Sequence, residues 1–135
     1  HVLDDWGLNL LADKMREEQA EEIGHSDLFI ERIMFLKGTP EIAFAKSPKR
    51  AETLTDMFKA DLADEEEAVE FYLSAARQAY EANDVGSRML FEKIAMDEEG
   101  HKAWLELQLE LIERIGEQAY SAKMVSVIQD EEPSA

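Results

Sequence analysis

The chain has 135 residues, 45% hydrophobic and 33% charged, with a formal net charge of −17, which suits one compact domain with its own core. Such a negative charge argues against a nucleic-acid or anionic-membrane partner, because phosphates would be repelled, and favours cations instead. The chain contains no cysteine, which excludes disulfides, thiolate nucleophiles and zinc–thiolate sites.

The first predicted element is a long helix from about Asp5 to Lys37, with Asp4 or Asp5 as its N-cap. Gly38 lies just beyond its end. The stretch GTPEIAFAKSPKRA, residues 38–51, contains two prolines and loses the helical period. It predicts a long ordered crossover connection, which leaves the next helix free to run parallel to the first.

Two more long helices follow the crossover. The second is predicted over about Glu52–Glu81, and the pair ND at 83–84 caps a third helix over about Val85–Ile115. Gly116 ends this third helix.

The C-terminal part is predicted to hold a short helix within EQAYSAKMVSVI, residues 117–128, and then an acidic tail, residues 129–135. No stretch alternates apolar and polar residues for long, as a half-buried strand would. The predicted fold is therefore all-α, with one domain over residues 1–128. No apolar run long enough to cross a membrane and no secretory signal pattern is found, so we expect a cytoplasmic protein.

Two Glu-x-x-His motifs carry the chemistry of the sequence: EEIGH at 21–25 and DEEGH at 97–101. At about 100° per residue, both motif side chains fall on the same face as the apolar residues of their helix. On the first helix that face also carries Leu11, Met15, Phe29, Ile33 and Leu36. On the third helix it also carries Phe91, Ile94, Leu105, Leu109 and Ile112.

Glu65 is predicted to point inward from the second helix. It shares a face with Leu54, Phe58, Val69, Tyr72 and Ala76. Burying an unpaired carboxylate costs on the order of several kcal/mol, so three buried together require positive charge. Among nearby side chains the sequence offers mainly Lys102, at one edge.

Metal ions would supply that charge, because a Glu and a His three residues apart offer one oxygen and one nitrogen to the same centre. A single Glu-x-x-His is more often a surface pair than a ligand pair. Its repetition, with Glu65 facing inward between the two copies, favours a centre for two divalent ions. The predicted ligands are Glu22, His25, Glu65, Glu98 and His101.

Two deficits remain in this arrangement. Two divalent ions would bring four positive charges against three carboxylates, which predicts a fourth buried glutamate. Three long helices also leave a bundle open on one side. Both deficits predict a helix before His1, and we interpret the chain, which does not begin with Met, as a fragment or a processed chain.

Other acidic and aromatic residues receive simpler interpretations. Glu17, Glu18 and Glu21 are interpreted as a solvent-facing acidic surface, with a secondary cation path beside the site as the alternative. Trp104 and Tyr72 are interpreted as packing residues rather than electron relays.

A second apolar stripe on the first helix predicts a subunit contact. It carries Ile23, Ile30 and Met34, with Leu8 near its edge, about 100° from the metal-facing side. A helix that is apolar on two faces has two partners, so we expect a symmetric dimer through this stripe and a larger assembly built from it.

These residues resemble those of the bacterioferritins, within the ferritin-like di-iron carboxylate proteins. The similar stretches are DWGL (5–8), GHSDLFIERIMFLKGTP (24–40), KADLADEEEA (59–68), VGSRML (85–90) and DEEGHKAWLELQLELI (97–112). The resemblance covers residues 1–128 and implies a ferritin-like four-helix bundle whose first helix is absent from this chain.

The resemblance also implies a function. Glu22 with His25 would bind one iron, Glu98 with His101 the other, and Glu65 with one motif glutamate would bridge them. It implies oxidation of Fe(II) by oxygen or peroxide, with ferric mineral deposited in a shell of 24 subunits. Ile23 occupies the position of the family's haem-ligating methionine, so we do not expect haem b in the homomeric protein.

Two alternatives stay open from the sequence. One is a rubrerythrin-like di-iron peroxidase, which would prefer peroxide and store no mineral. The other is a shell subunit without a working centre that co-assembles with a haem-binding sibling subunit.

Overall fold

The computed structural model describes residues 1–126 and contains five helices. They are α1 (Val2–Asp5), α2 (Asn9–Phe35), α3 (Leu54–Glu81), α4 (Val85–Ile115) and α5 (Glu117–Ala122). Residues 1–126 contain no strand, which confirms the all-α prediction. Within the same range, no helix is both long and apolar enough to cross a membrane. The predicted domain end at 128 and the tail at 129–135 lie outside the described residues.

The prediction that the first helix begins at about Asp5 is wrong. The chain instead forms one turn of helix, α1, and reverses through Gly7, whose φ of 76° is easily adopted only by glycine. The Leu8 amide then donates to the Leu3 carbonyl at 2.8 Å. This turn buries both leucines in the core, and α2 begins only at Asn9.

The ends of the later helices follow local capping chemistry. Thr53 precedes α3, and its hydroxyl accepts a hydrogen bond from the Asp56 amide at 3.1 Å. Asp84 caps α4 by accepting from the Ser87 amide at 3.0 Å. Gly116, with φ 83°, ends α4. The predicted caps at 84 and 116 are confirmed.

Contacts along α2 and α4 show that these helices are antiparallel. Glu21 contacts His101, and eleven residues further along α2, Arg32 contacts Asp84 at the start of α4. A short turn at 82–84 makes α3 antiparallel to α4 as well. The helices α2 and α3 therefore run parallel, as the long crossover predicted.

Two apolar layers lie at different heights of the bundle. One layer stacks Phe29, Tyr72 and Phe91, from three different helices, with ring centroids 5.6–6.5 Å apart. The other layer contains Phe58, with the Trp104 ring edge-on at 5.7 Å. It also includes Leu11, Leu54, Leu105, Ile112 and Tyr120. The motif residues lie between these two layers on each helix.

The inward face predicted for α2 does not extend to its end. Ile33 is 36% exposed and Leu36 is 52% exposed. Arg32 already lies opposite Asp84, where α4 begins, so residues beyond Arg32 have no α4 side chains to pack against. Leu8 is buried in the chain's own core and does not belong to the second apolar stripe. Ile23 and Met34 of that stripe are 57% and 59% exposed.

Candidate metal centre

The structure brings all five predicted ligands to one place. The helix α2 supplies Glu22 and His25, α3 supplies Glu65, and α4 supplies Glu98 and His101. One ligand atom from each of Glu22, Glu65, Glu98 and His101 lies within 4.8 Å of the others. His25 Nδ1 lies 3.4 Å from a Glu22 oxygen and 3.2 Å from a Glu98 oxygen. These five side chains form the carboxylate–imidazole cluster.

Both imidazoles turn the same ring nitrogen toward the carboxylates. His101 Nδ1 lies 3.6 Å from Glu22 Oε1, 3.8 Å from Glu65 Oε1 and 4.0 Å from Glu98 Oε2. Glu22 and Glu98 thus lie within reach of both histidines. A nitrogen on each side of shared carboxylate oxygens is an arrangement that two metal ions can occupy together.

Burial makes the cluster electrostatically unfavourable without a cation. Glu98 is 3% exposed, and burial together with the neighbouring Glu65 raises its pKa to about 7. Burial likewise raises the pKa of Glu65 and of Glu22, with Glu98 adding to the effect on Glu22. Contrary to the expectation of three buried carboxylates, the Glu22 side chain is 48% exposed. All three carboxyl groups nevertheless resist ionisation as long as no positive charge lies among them.

Among the side chains of the cluster, His101 is one whose protonated form is favoured. Burial disfavours the protonated form of His101, but its hydrogen bond to Glu21 and nearby carboxylates outweigh this and raise its pKa. Lys102, the cation noted at the edge of the site, contacts Glu66 and Glu106 instead.

Three nitrogen or oxygen atoms of the cluster that could bind a metal ion are buried without a hydrogen-bond partner. They are His25 Nδ1, Glu65 Oε2 and Glu98 Oε1. A buried polar atom without a partner is costly and rare in folded proteins, so several in one place indicate a missing ligand. Oxygen and nitrogen donors without sulfur suit iron, manganese or zinc better than copper(I). The residues present therefore fit a centre for two divalent metal ions.

Two residues outside the predicted ligand set, Asp97 and Glu21, contact the histidines of the cluster. Asp97 Oδ2 lies 3.1 Å from His25 Nε2, and Glu21 Oε2 lies 3.0 Å from His101 Nε2. The sequence interpretation of Glu21, a solvent-facing acidic surface with a secondary cation path as the alternative, did not include this contact. The sequence did contain a signal for these two residues: in both motifs, an acidic residue directly precedes the ligand glutamate.

Grooves on either side of Glu22 open the cluster to the space between α2 and α3. One groove of about 340 Å³ is lined by Glu65, Glu98 and His101 together with Glu18 and Met15. A second, of about 290 Å³, is lined by His25, Phe29 and Tyr72 and reaches the crossover at Ile42. Both grooves leave Glu22 accessible from this side. The fourth glutamate expected on the open side stays a prediction.

Comparison with known proteins points to one family. A model of the ferritin-like domain matches residues 1–115. The chain is 39% identical over 118 residues to the bacterioferritin of Rhodobacter capsulatus, covering 87% of this chain and 73% of that protein. It is 38% identical over 123 residues to bacterioferritin BfrA of Mycobacterium tuberculosis, covering 91% of this chain and 77% of that protein.

Solved structures agree with these sequence matches. The Mycobacterium tuberculosis bacterioferritin superposes with a TM-score of 0.89 at 38% identity, covering 93% of this chain and 79% of its own. The Rhodobacter capsulatus protein superposes with a TM-score of 0.89 at 36% identity, covering 94% and 79%. That structure is reported with a metal-free dinuclear site and haem iron.

Proposed function

Because the chain belongs to the bacterioferritins of the ferritin-like family, we propose that it is an iron-storage subunit that oxidises Fe(II). The observation that carries this proposal is the carboxylate–imidazole cluster, in which three buried nitrogen or oxygen atoms lack a hydrogen-bond partner. The ferric product would be deposited as mineral inside a hollow shell of subunits.

Each cluster residue has a proposed role as an iron ligand. Glu22 and His25 would hold one iron, and Glu98 and His101 the other. Glu65 would share in bridging them, together with one of the motif glutamates. Iron held in this way would supply electrons to oxygen or peroxide.

The rest of the chain would prepare the site for this chemistry. The buried carboxylates favour binding of a divalent cation, because a cation relieves the repulsion that raises the pKa of Glu98. The rings of Phe29, Tyr72 and Phe91 pack on one side of the cluster, and Phe58 with Trp104 on the other. These apolar surfaces lower the local dielectric constant, which strengthens the attraction between carboxylates and cations.

Replacing a nitrogen ligand tests the proposed activity. We expect His101→Ala to abolish the fast phase of aerobic Fe(II) oxidation, measured by stopped-flow absorbance of the ferric product. His1→Ala is the matched control, because His1 is exposed and is not part of the cluster. Unchanged kinetics in His101→Ala would contradict the assignment.

Oxidation kinetics together with electron microscopy of the product separate the alternative functions. A strong preference for peroxide without mineral formation would favour a rubrerythrin-like peroxidase. Absence of a fast phase in the unmodified protein would favour a shell subunit that needs a sibling subunit with a working centre. Rapid oxidation followed by mineral growth, seen by electron microscopy, supports iron storage.

A further inference from the structure

A cleft of about 310 Å³ lies between α3 and α4, toward the turn at residues 82–84 that joins the two helices. Three apolar or aromatic side chains and three charged side chains line it: Leu73, Ala76, Tyr80, Arg77, Arg88 and Glu92. None of these residues belongs to the carboxylate–imidazole cluster. The chemistry of the cleft is therefore separate from that of the metal centre.

Arg77 differs from the other arginines of the chain. Each of the others pairs with a carboxylate: Arg16, Arg32, Arg50, Arg88 and Arg114. Arg77 has no such partner within residues 1–126, although the chain carries a net charge of −17. Its exposed guanidinium is therefore available to an anion that enters the cleft.

Arg88 is held in a fixed orientation and still has donors to offer. Its Nε donates to a Glu92 oxygen at 2.9 Å, and its guanidinium carbon lies over the Tyr80 ring, 5.5 Å from the ring centre. A guanidinium is planar and carries several N–H donors, so the bond to Glu92 leaves the two terminal nitrogens for another acceptor. Stacking on an aromatic ring further restricts the plane of the guanidinium.

Two guanidiniums at one cleft match the chemistry of a phosphate group. Arginine binds phosphate through paired, charge-assisted hydrogen bonds, which are stronger than those between neutral groups. Two positive charges face only the one negative charge of Glu92, so a bound anion relieves the repulsion between Arg77 and Arg88. The apolar wall of Leu73 and Ala76 leaves room for an organic group attached to the phosphate.

We propose that this cleft binds a phosphate-bearing anion, either inorganic phosphate or a small phosphate monoester, through Arg77 and Arg88. Tyr80 and Glu92 act as positioning residues, because they hold the Arg88 guanidinium in place. The site goes beyond iron storage and does not depend on it. On so acidic a chain, the paired arginines provide a local attraction for an anion that the remaining surface repels.

Isothermal titration calorimetry of the metal-free protein at constant ionic strength tests the site, with inorganic phosphate and phenyl phosphate as probes. We expect saturable binding to the unmodified protein. Arg77→Ala or Arg88→Ala should weaken it by about 10- to 100-fold, because each variant removes charge-assisted hydrogen bonds. Tighter binding of phenyl phosphate would identify a monoester as the preferred ligand, and equal or weaker binding would identify inorganic phosphate.

A lysine variant separates a specific site from general electrostatic attraction. Arg77→Lys keeps the positive charge but loses the planar fork of donors, so we expect a loss of affinity close to that of Arg77→Ala. Arg114→Ala is the matched control, because it removes an exposed arginine of α4 that lies outside the cleft. This control should leave phosphate affinity nearly unchanged.

Glu92→Gln should change the affinity in the opposite direction. It removes the negative charge from the cleft and releases Arg88, so phosphate should bind several-fold more tightly. Glu99→Gln, at an exposed position of the same helix, should not have this effect. The proposal would be overturned by absence of binding of both probes at millimolar concentrations, or by equal losses in Arg77→Ala and Arg114→Ala.

Discussion

At the scale of single residues, Glu98 shows the cost of assembling the cluster. Its pKa of about 7 lies above the ordinary value of 4.5, because of burial and the neighbouring Glu65. Between these two pH values the folded protein holds a proton that the unfolded chain has released. The metal-free protein should therefore lose stability as pH rises from about 4.5 to 7.

Replacing Glu98 with glutamine tests this pH dependence. Glu98→Gln removes the titrating group, so the thermal midpoint of the metal-free variant should depend less on pH and should exceed that of the unmodified protein at pH near 8. Differential scanning calorimetry with chelator present measures both. A variant that is less stable than the unmodified protein at high pH would argue against a strained buried carboxyl. Glu99→Gln, at an exposed neighbouring position, serves as the control.

The aliphatic side chain of Ile23 leads to a prediction about haem binding. An aliphatic side chain offers no lone pair to iron, so the homomeric protein purified with haem available should show no Soret band. Ile23 is 57% exposed on the face proposed for the subunit contact, where a thioether could meet its symmetry mate. We expect Ile23→Met to gain haem absorption. A Soret band in the unmodified protein would refute this interpretation of Ile23.

Four of the five cluster residues were predictable because each motif lies within one helix, and Glu65 was predictable from the apolar face that it shares on α3. The spacing of three residues and the 3.6-residue period suffice to place Glu22 beside His25 and Glu98 beside His101. The contacts of Glu21 and Asp97 depend on how α2 is aligned against α4, which no periodicity within one helix encodes. Their bonds to the opposite histidines could therefore be found only in three dimensions.

At the scale of elements, Asp84 joins two helices at one point. It caps α4 by accepting from the Ser87 amide, and it also accepts from the Arg32 guanidinium of α2 at 2.6 Å. Thr53 caps α3 alone, through the Asp56 amide. Loss of the Asp84 side chain therefore removes a cap and an interhelical contact together.

We expect Thr53→Ala to lower the free energy of unfolding by about 0.5–1 kcal/mol. Asp84→Ala should lower it more, because this variant also removes the contact with Arg32. Urea denaturation followed by circular dichroism measures both. The additional loss in Asp84→Ala should shrink in an Arg32→Ala background, because the two side chains share one contact. A larger effect of Thr53→Ala would show that the interhelical contact contributes little.

Element boundaries were predictable where capping chemistry is local. Asp84 and Gly116 end or begin a helix through their own side chain or backbone preference, and both were placed correctly from sequence. The break at Gly7 was missed, because the acidic residues at 4 and 5 imitate an N-cap. The turn is favoured there because it buries Leu3 and Leu8 against the rest of the core, which a local sequence pattern does not show.

At the scale of the whole molecule, the exposed stripe on α2 predicts assembly. Ile23 and Met34 are each more than half exposed, which is unfavourable for apolar side chains that lie together on one helix. We propose that two copies pair through this stripe and that such dimers build a 24-subunit shell. Size-exclusion chromatography with light scattering should show a dimer or a larger species.

A charge on the stripe tests this pairing. Met34→Asp should shift the protein toward monomer, because a buried unpaired carboxylate opposes association. Met96→Asp is the control for the dimer, since Met96 is similarly exposed at 64% but lies on α4. A stable monomer of the unmodified protein would contradict the proposal.

The all-α architecture and the parallel course of α2 and α3 were predictable from proline and glycine positions and from the long crossover. The exposure of Ile33 and Leu36 was not, because it depends on where α4 begins relative to the end of α2. The match to the ferritin-like domain and the similarity to bacterioferritins establish the family. The proposed iron chemistry is argued from the carboxylate–imidazole cluster.

Anomalous X-ray diffraction at the iron edge, from crystals soaked anaerobically with Fe(II), tests the central claim most directly. We predict two anomalous peaks within the carboxylate–imidazole cluster, one beside His25 and the other beside His101. No iron among Glu22, Glu65 and Glu98, with well-ordered side chains, would contradict the assignment of this cluster as a di-iron centre.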